Sequence, residues 1–238
     1  MRNFFSNPIS IIMIVAMAYM AISGGRFSSP LDWLMSTLLM LPGIMIALSF
    51  HEFAHAAVAY KLGDSTPKYQ KRVTVNPAAH IEPIGLICLI FIGFGWGKPV
   101  MVNPANFKSP RRDELLVSLA GVTMNLILAF VFSAVLGLCV KLAPVFSMSV
   151  IGGIVIDIII ITIRINIVLM VFNLIPVPPL DGFNVVSSIL NIKHTELYYK
   201  IYQNGMILLL ILIIFNVVDV IFRFTVMPLF YFLLNLFL

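Results

Sequence analysis

Long apolar segments separated by short polar stretches run through the whole chain. Six of them stand out among the 238 residues: 8–23, 33–62, 83–95, 114–141, 149–175 and 202–238. The mean hydropathy is +1.05. Only 11% of the residues are charged, whereas a soluble domain carries about a quarter. Such a chain cannot cover a surface that faces water, so the sequence predicts an integral membrane protein.

Five of these segments are long enough to cross a bilayer, which takes about 20 helical residues. The segment 83–95 is too short, and the strand-like stretches 72–75 and 98–102 flank it. We therefore expect residues 64–112 to form a re-entrant or membrane-surface element with some β-structure, covered by protein or by a wet cavity. The predicted fold class is an all-α polytopic membrane protein with about five to six transmembrane helices and this one β-like element.

The whole chain, 1–238, is expected to form a single membrane-embedded domain. Its core is predicted at about 33–185, and a helix or helices at about 202–238 complete it. The segment 8–23 is long for a signal peptide, and no small-residue cleavage site follows it, so we interpret it as a retained first helix. We expect no appended soluble domain.

The positive charges are unevenly distributed along the chain. Eight basic residues but only two acidic ones lie between positions 61 and 112. Cytoplasmic loops of membrane proteins carry such an excess, so we place this stretch in the cytoplasm. A net charge of +5 in a soluble protein would suggest nucleic acid, but here we expect no nucleic-acid partner. The compact form favours a prokaryotic cell membrane.

The second apolar segment contains the motif HEFAH at positions 51–55. Histidines four residues apart lie on one face of a helix, so His51 and His55 can bind one Zn²⁺. Glu52 then lies beside the metal and can accept a proton from the water that zinc activates. Ionisable residues within a membrane helix are costly unless they have a function, which disfavours a chance match. The motif predicts one catalytic zinc per chain.

A catalytic zinc site has three protein ligands and one open position. The chain has only two further histidines, of which His194 lies in a basic surface loop. His80 lies beside the expected re-entrant element, where it could help to bind substrate or could pack a loop. Asp181 is the better third ligand. Three prolines break the fifth helix just before it, and a broken backbone can direct a carboxylate inward.

Four polar motifs interrupt or border the apolar segments: HEFAH at 51–55, NPAAHIEPIG at 76–85, SLAGVTMN at 118–125 and NLIPVPPLDG at 173–182. Together they resemble the motifs of the site-2 protease family of intramembrane zinc metalloproteases (peptidase family M50). The resemblance implies that His51, His55 and Asp181 bind zinc and that Glu52 is the catalytic base. It implies the minimal form of the family, without a PDZ or a CBS domain.

Three positions depart from the family's pattern: Val122 replaces a proline, Glu82 an aspartate, and Phe183 a common glycine. None of these changes removes a ligand or the base. We expect these three changes to affect the fit of the substrate and the local geometry of the helices.

Two asparagines, Asn125 and Asn173, match family asparagines near the site. An amide in lipid needs a partner, so either side chain could donate to the scissile carbonyl or to the oxyanion that forms from it. A helical substrate hides its backbone and must be unwound locally. The β-branched pattern around Val100 and Val102 could then bind it by strand addition.

The resemblance implies an intramembrane metalloendopeptidase that cuts transmembrane segments of other proteins, with the active site nearer the cytoplasmic side. The expected partners are transmembrane substrates and the lipid bilayer. An inactive zinc-binding chaperone or scaffold of the same fold is the alternative, and the intact Glu52 argues against it. A metal transporter would place ligands along a path through the membrane, whereas these ligands cluster at one depth. Another HExxH class would need a soluble catalytic domain that does not fit in this chain.

Overall fold

The computed structural model describes residues 30–92 and 95–238, so the predicted first helix at 8–23 lies outside the described residues. The described helices are α1 (Pro30–Lys61), α2 (Thr66–Tyr69), α3 (Pro77–His80), α4 (Pro83–Ile92), α5 (Pro110–Leu142), α6 (Pro144–Ser147), α7 (Val150–Asn173), α8 (Asp181–Leu190), α9 (Glu196–Gln203), α10 (Gly205–Ile214) and α11 (Val217–Phe237). A short 3₁₀ turn, Pro104–Asn106, precedes α5.

Four of the described helices, α1, α5, α7 and α11, are long and apolar enough to cross a membrane. Helices α9 and α10 meet at an angle of 59° and could together form a fifth span. The predicted all-α polytopic membrane class is confirmed. The C-terminal segment 202–238 is divided into helices, and α10 and α11 are separated at Asn216, whose φ is 56°. Asparagine tolerates this left-handed conformation better than most residues.

The expected β-structure is wrong for the part of the chain that the structure describes. This part holds no strand, and its β-pairing is one isolated bridge between Ile81 and Gly97. The backbone N–H groups of the predicted strand 98–102 donate to side chains instead: that of Val100 to Glu52 at 2.9 Å and that of Met101 to Gln70 at 3.4 Å. Because these side chains take the hydrogen bonds that a neighbouring strand would make, the β-branched pattern does not produce a sheet.

The described chain divides into two compact units. The smaller unit holds 30–38 and 81–98. In it the chain after α4 passes so close to that helix that a Cβ at Gly85 would collide with the backbone of Trp96. The larger unit holds 39–80 and 99–238. It contains every residue predicted to bind the metal and the predicted base.

Helices α5, α7 and α11 form the core of the larger unit. Their buried side chains include Leu136 of α5, Ile163 of α7 and Phe230 of α11. Helix α5 also buries a row of mostly small residues about one turn apart, namely Val117, Gly121, Asn125, Ala129 and Ser133. Small side chains let helices approach closely in a membrane. This row brings the backbone of α5 up to α1, which carries the two histidines.

A buried carboxylate fastens the end of α1 to the segment that precedes α5. Asp64 is fully buried and accepts hydrogen bonds from the N–H and hydroxyl of Thr66 at 3.0 and 2.6 Å. It also accepts from the Asn103 N–H at 2.7 Å and from the Asn106 side chain at 2.6 Å. Burial alone would raise the pKa of Asp64, but these hydrogen bonds hold the pKa below its ordinary value.

We expect Asp64→Asn to lower the free energy of unfolding at pH 7 by about 1–3 kcal/mol, because an amide cannot accept all four hydrogen bonds. The folded-state pKa of Asp64 is lowered, so its stabilisation is complete above the unfolded pKa of about 3.9. This stabilisation disappears as the pH falls through the lower folded pKa. Thermal unfolding in detergent between about pH 3 and pH 7 should show a smaller acid-induced loss in the variant. Glu196→Gln, at an exposed carboxylate of α9, is the control, and identical acid profiles for wild type and Asp64→Asn would contradict the prediction.

Candidate metal centre

The two histidines of the HExxH motif lie on one face of α1, as their spacing predicts. Their Nε2 atoms are 3.0 Å apart. Both residues are buried, and their rings meet edge to face with 4.6 Å between centroids. The two nitrogens therefore point at one common position.

Asp181 completes the group from another part of the chain. It is the first residue of α8, and its Oδ2 lies 3.2 Å from the Nε2 of His51 and 3.2 Å from the Nε2 of His55. The next residue, Gly182, packs against the Leu174 carbonyl so closely that a Cβ would collide with it. This contact holds the start of α8 against the end of α7. The partial positive charge at a helix N-terminus also favours a carboxylate there.

Hydrogen bonds at the opposite ring nitrogens determine which nitrogens carry lone pairs. His55 Nδ1 lies 2.7 Å from the carbonyl oxygen of Val117, which can only accept, so Nδ1 must carry the proton. His51 Nδ1 lies 2.6 Å from Oδ1 of Asn125. The Asn125 amide nitrogen donates to the carbonyl of Ala47 at 3.1 Å, which places its oxygen towards His51. In the neutral imidazoles both Nε2 atoms then carry the lone pair, the form in which histidine binds a metal.

The donor set fits zinc. Oδ2 of Asp181 is buried without a hydrogen-bond donor, and neither unprotonated Nε2 can supply one. Three lone-pair atoms separated by 3.0, 3.2 and 3.2 Å form a suitable ligand set for one cation. A tetrahedral zinc with bonds of about 2.0–2.1 Å requires ligand atoms about 3.3 Å apart. Among the described residues these three form the one cluster of this kind that could hold a metal ion.

The predicted base lies beside this cluster. Glu52 follows His51 directly, is partly buried, and accepts a hydrogen bond from the backbone N–H of Val100 at 2.9 Å. The peptide between Pro99 and Val100 therefore lies against the carboxylate. Val102, two residues further on, packs instead against the buried cluster that contains Phe107.

Helix α5 approaches the imidazoles at a glycine. A Cβ built on Gly121 would lie 2.5 Å from Nε2 of His55 and 2.6 Å from Cε1 of His51. No side chain larger than hydrogen fits there without moving a ligand. The small residues on this face of α5 favour close approach to another helix, but the sequence does not reveal that Gly121 contacts the two imidazoles.

The asparagine predictions fare differently. Both amide hydrogens of Asn125 are used, one by Ala47 and one by Oδ1 of Asn166 at 3.0 Å. It has no donor left for an oxyanion, so that predicted role is wrong, and the side chain orients His51 instead. Asn173 donates to the Leu169 carbonyl of its own helix at 3.0 Å, which uses one of its two amide hydrogens. Its substrate role stays a prediction.

His80 lies outside the metal-ligand cluster. It is fully buried, and its Nε2 lies 2.7 Å from the Thr74 carbonyl oxygen in the loop before α3. This contact favours the loop-packing alternative over binding of substrate.

Comparison with known proteins identifies the family. The profile described as "Peptidase family M50" matches residues 39–215, a range that includes His51, Glu52, His55 and Asp181. The chain belongs to peptidase family M50. The resemblance to site-2 proteases is thereby confirmed, and the residues of the candidate cluster lie within the matched range.

The chain is similar to bacterial M50 proteins. It is 41% identical over 150 residues to "Putative zinc metalloprotease YwhC" of Bacillus subtilis, an alignment that covers 61% of this chain and 66% of that relative. It is 29% identical over 190 residues to "Putative zinc metalloprotease Rip2" of Mycolicibacterium smegmatis, covering 78% of this chain and 70% of that relative. The chain thus spans about two thirds of the length of these relatives. No solved structure matches it.

We expect Gly121→Ala to weaken zinc binding by at least about tenfold, because the added methyl group displaces the imidazoles. Gly153→Ala in α7 is the matched control, since a Cβ there meets nothing within 4 Å. Competition with a chromogenic chelator in detergent measures both affinities. Equal zinc affinities in the two variants would show that the ligands tolerate the methyl group.

Proposed function

We propose that this M50 protein is an intramembrane zinc metalloprotease of the site-2 type, which hydrolyses transmembrane segments of other membrane proteins. The observation that carries the proposal is the convergence of His51, His55 and Asp181 beside Glu52. Two of the three ligands and the base lie on a helix apolar enough to span a bilayer. A zinc site with an adjacent carboxylate is the arrangement that a metallopeptidase uses to activate water.

Each residue at the site has a role in this mechanism. His51, His55 and Asp181 would hold one zinc ion. Zinc, when bound, supplies a Lewis acid that polarises the scissile carbonyl and makes water easier to deprotonate. Glu52 accepts the proton of the attacking water and passes it to the leaving amine. The Val100 N–H holds Oε2 of Glu52 at 2.9 Å, which leaves Oε1 as the proton acceptor.

The same contact supports a place for the substrate. The segment around Val100 is not helical and has no strand partner among the described residues. An unwound substrate bound along this segment would lie next to the base, and it would use backbone groups other than the N–H groups of Val100 and Met101, which donate to Glu52 and Gln70. Val102 packs the segment against the buried cluster that contains Phe107, and its predicted contact with the substrate stays a prediction.

The location of the site in the membrane follows from the charges and the helix length. His51 is ten residues from the end of α1 at Lys61, or about 15 Å at the helical rise of about 1.5 Å per residue. The basic stretch that follows α1 favours the cytoplasm for that end. These observations support a scissile bond that is cut below the membrane surface and nearer the cytoplasmic side, and the similarity to bacterial M50 proteins supports a prokaryotic cell membrane.

Zinc content and cleavage test the proposed function together. We expect about one zinc per chain in the wild type and a sharp loss in Asp181→Ala, because two histidines alone bind zinc weakly. Glu52→Gln should keep zinc but cleave a panel of single-span peptides in vesicles about 10²–10⁴ times more slowly. Metal analysis and mass spectrometry of the peptide products provide the readouts.

Three results would contradict this scheme. Wild type that takes up no zinc would remove the metal centre. Full zinc in Asp181→Ala would exclude that residue as a ligand. Zinc without cleavage of any peptide, equal in wild type and Glu52→Gln, would leave the scaffold alternative.

The hydrogen bond to Glu52 can be removed at the backbone. Val100→Pro deletes the N–H, and we expect kcat to fall about tenfold or more while zinc content stays unchanged, since a hydrogen bond to a charged group is lost. Val100→Ala keeps the N–H and is the control, with a rate close to that of the wild type. Unchanged kcat in Val100→Pro would mean that this peptide group does not position the base.

A further inference from the structure

Asn166 is a fully buried amide in the middle of α7, between the apolar and fully buried Ile163 and Ile167. A polar group in such surroundings is costly unless it is hydrogen bonded. Its amide nitrogen donates to the carbonyl of Thr162 at 2.8 Å, one turn earlier in the same helix. Its oxygen accepts from Nδ2 of Asn125 on α5 at 3.0 Å.

The direction of these hydrogen bonds is determined by groups that cannot reverse. The Thr162 carbonyl only accepts, so the Asn166 nitrogen must face it and the Asn166 oxygen must face Asn125. The nitrogen of Asn125 is therefore directed towards Asn166 and towards the Ala47 carbonyl of α1. Its oxygen is left for His51 Nδ1, at 2.6 Å.

We propose that Asn166 is a positioning residue of the metal centre: it holds the amide of Asn125 in the one orientation that leaves a lone pair on Nε2 of His51. The proposal rests on the zinc site proposed above. If the Asn125 amide turned over, its nitrogen would face Nδ1 of His51 and the proton of the ring would move to Nε2. A protonated Nε2 cannot bind a metal, so the site would lose one of its three ligands.

Asn166 supplies the second hydrogen-bond acceptor for the Asn125 amide, which the Ala47 carbonyl alone cannot do. One carbonyl satisfies one of the two amide hydrogens of Asn125, and the second would remain buried without an acceptor if residue 166 were apolar. An unsatisfied buried donor weakens the preference for this orientation. The hydrogen bonds that orient His51 thus join three helices: Asn166 of α7 contacts Asn125 of α5, and Asn125 contacts His51 of α1.

The test compares three variants with wild type by chelator competition for zinc in detergent. Asn166→Leu removes the acceptor, and we expect zinc affinity to fall about tenfold, as for other residues that orient metal ligands. Asn166→Asp keeps an oxygen for Asn125 and, when protonated, donates to the Thr162 carbonyl, so its affinity should stay close to that of wild type. The visible spectrum of the cobalt-substituted proteins should change in the leucine variant and not in the aspartate variant.

Thr162→Val is the matched control. Thr162 is buried on the same helix, one turn away, but its hydroxyl donates only to the Ile158 carbonyl of its own helix at 2.7 Å. We expect this variant to bind zinc like wild type. Should Asn166→Leu fail to fold, Asn166→Ala removes the same acceptor and is measured in its place.

Wild-type affinity in Asn166→Leu would overturn the proposal. Equal losses in Asn166→Leu and Thr162→Val would also overturn it, since they would reflect general packing of α7. Equal losses in the leucine and aspartate variants would do the same, because the acceptor would not matter. Failure of the metal centre itself would appear differently, as wild type that binds no zinc, and it would overturn both proposals.

Discussion

The Nε2 atoms of His51 and His55 and Oδ2 of Asp181 lie within 3.2 Å of one another, and with neutral imidazoles these three buried acceptors repel each other unless a cation lies between them. In an interior of low dielectric this repulsion is strong, and a divalent ion converts it into attraction. The arrangement therefore requires rigid support from the surrounding helices. The contacts of α1, α5, α7 and α8 near the site can be understood as that support.

The support depends on how closely helices can approach one another. Gly121 brings the backbone of α5 against both imidazoles, and the Val117 carbonyl one turn away accepts a hydrogen bond from Nδ1 of His55. Gly182 allows a similarly close approach in α8, where it packs against the Leu174 carbonyl at the end of α7. This contact fixes the start of α8, at which Asp181 lies. Small residues thus serve the chemistry as well as the packing, because a metal ligand displaced by a methyl group no longer reaches the common point.

Polar residues outside the metal cluster connect the base to the surrounding loops. Asp64 binds the backbone of Asn103, and three residues earlier the backbone of Val100 binds Glu52. The segment that was expected to pair as a strand is instead attached to α1 through Glu52 and to the turn after α1 through Asp64. This attachment explains how a non-helical stretch that has no strand partner within the described part of the chain can keep a defined place beside the candidate metal centre.

The sequence alone determined the membrane class, from its long apolar segments, and the shared face of His51 and His55, from the helical period. It also singled out Asp181, through a motif next to a helix break. The tertiary structure decided the roles of Gly121, Asn125 and Asn166 and excluded the strand at 98–102. The reason is that periodicity describes neighbours within one helix. The partner of a buried amide 41 residues away, or of a backbone N–H 48 residues away, depends on how separate elements pack. An amide in an apolar helix signals that it needs a partner, as Asn166 does, but its sequence neighbours do not reveal which one.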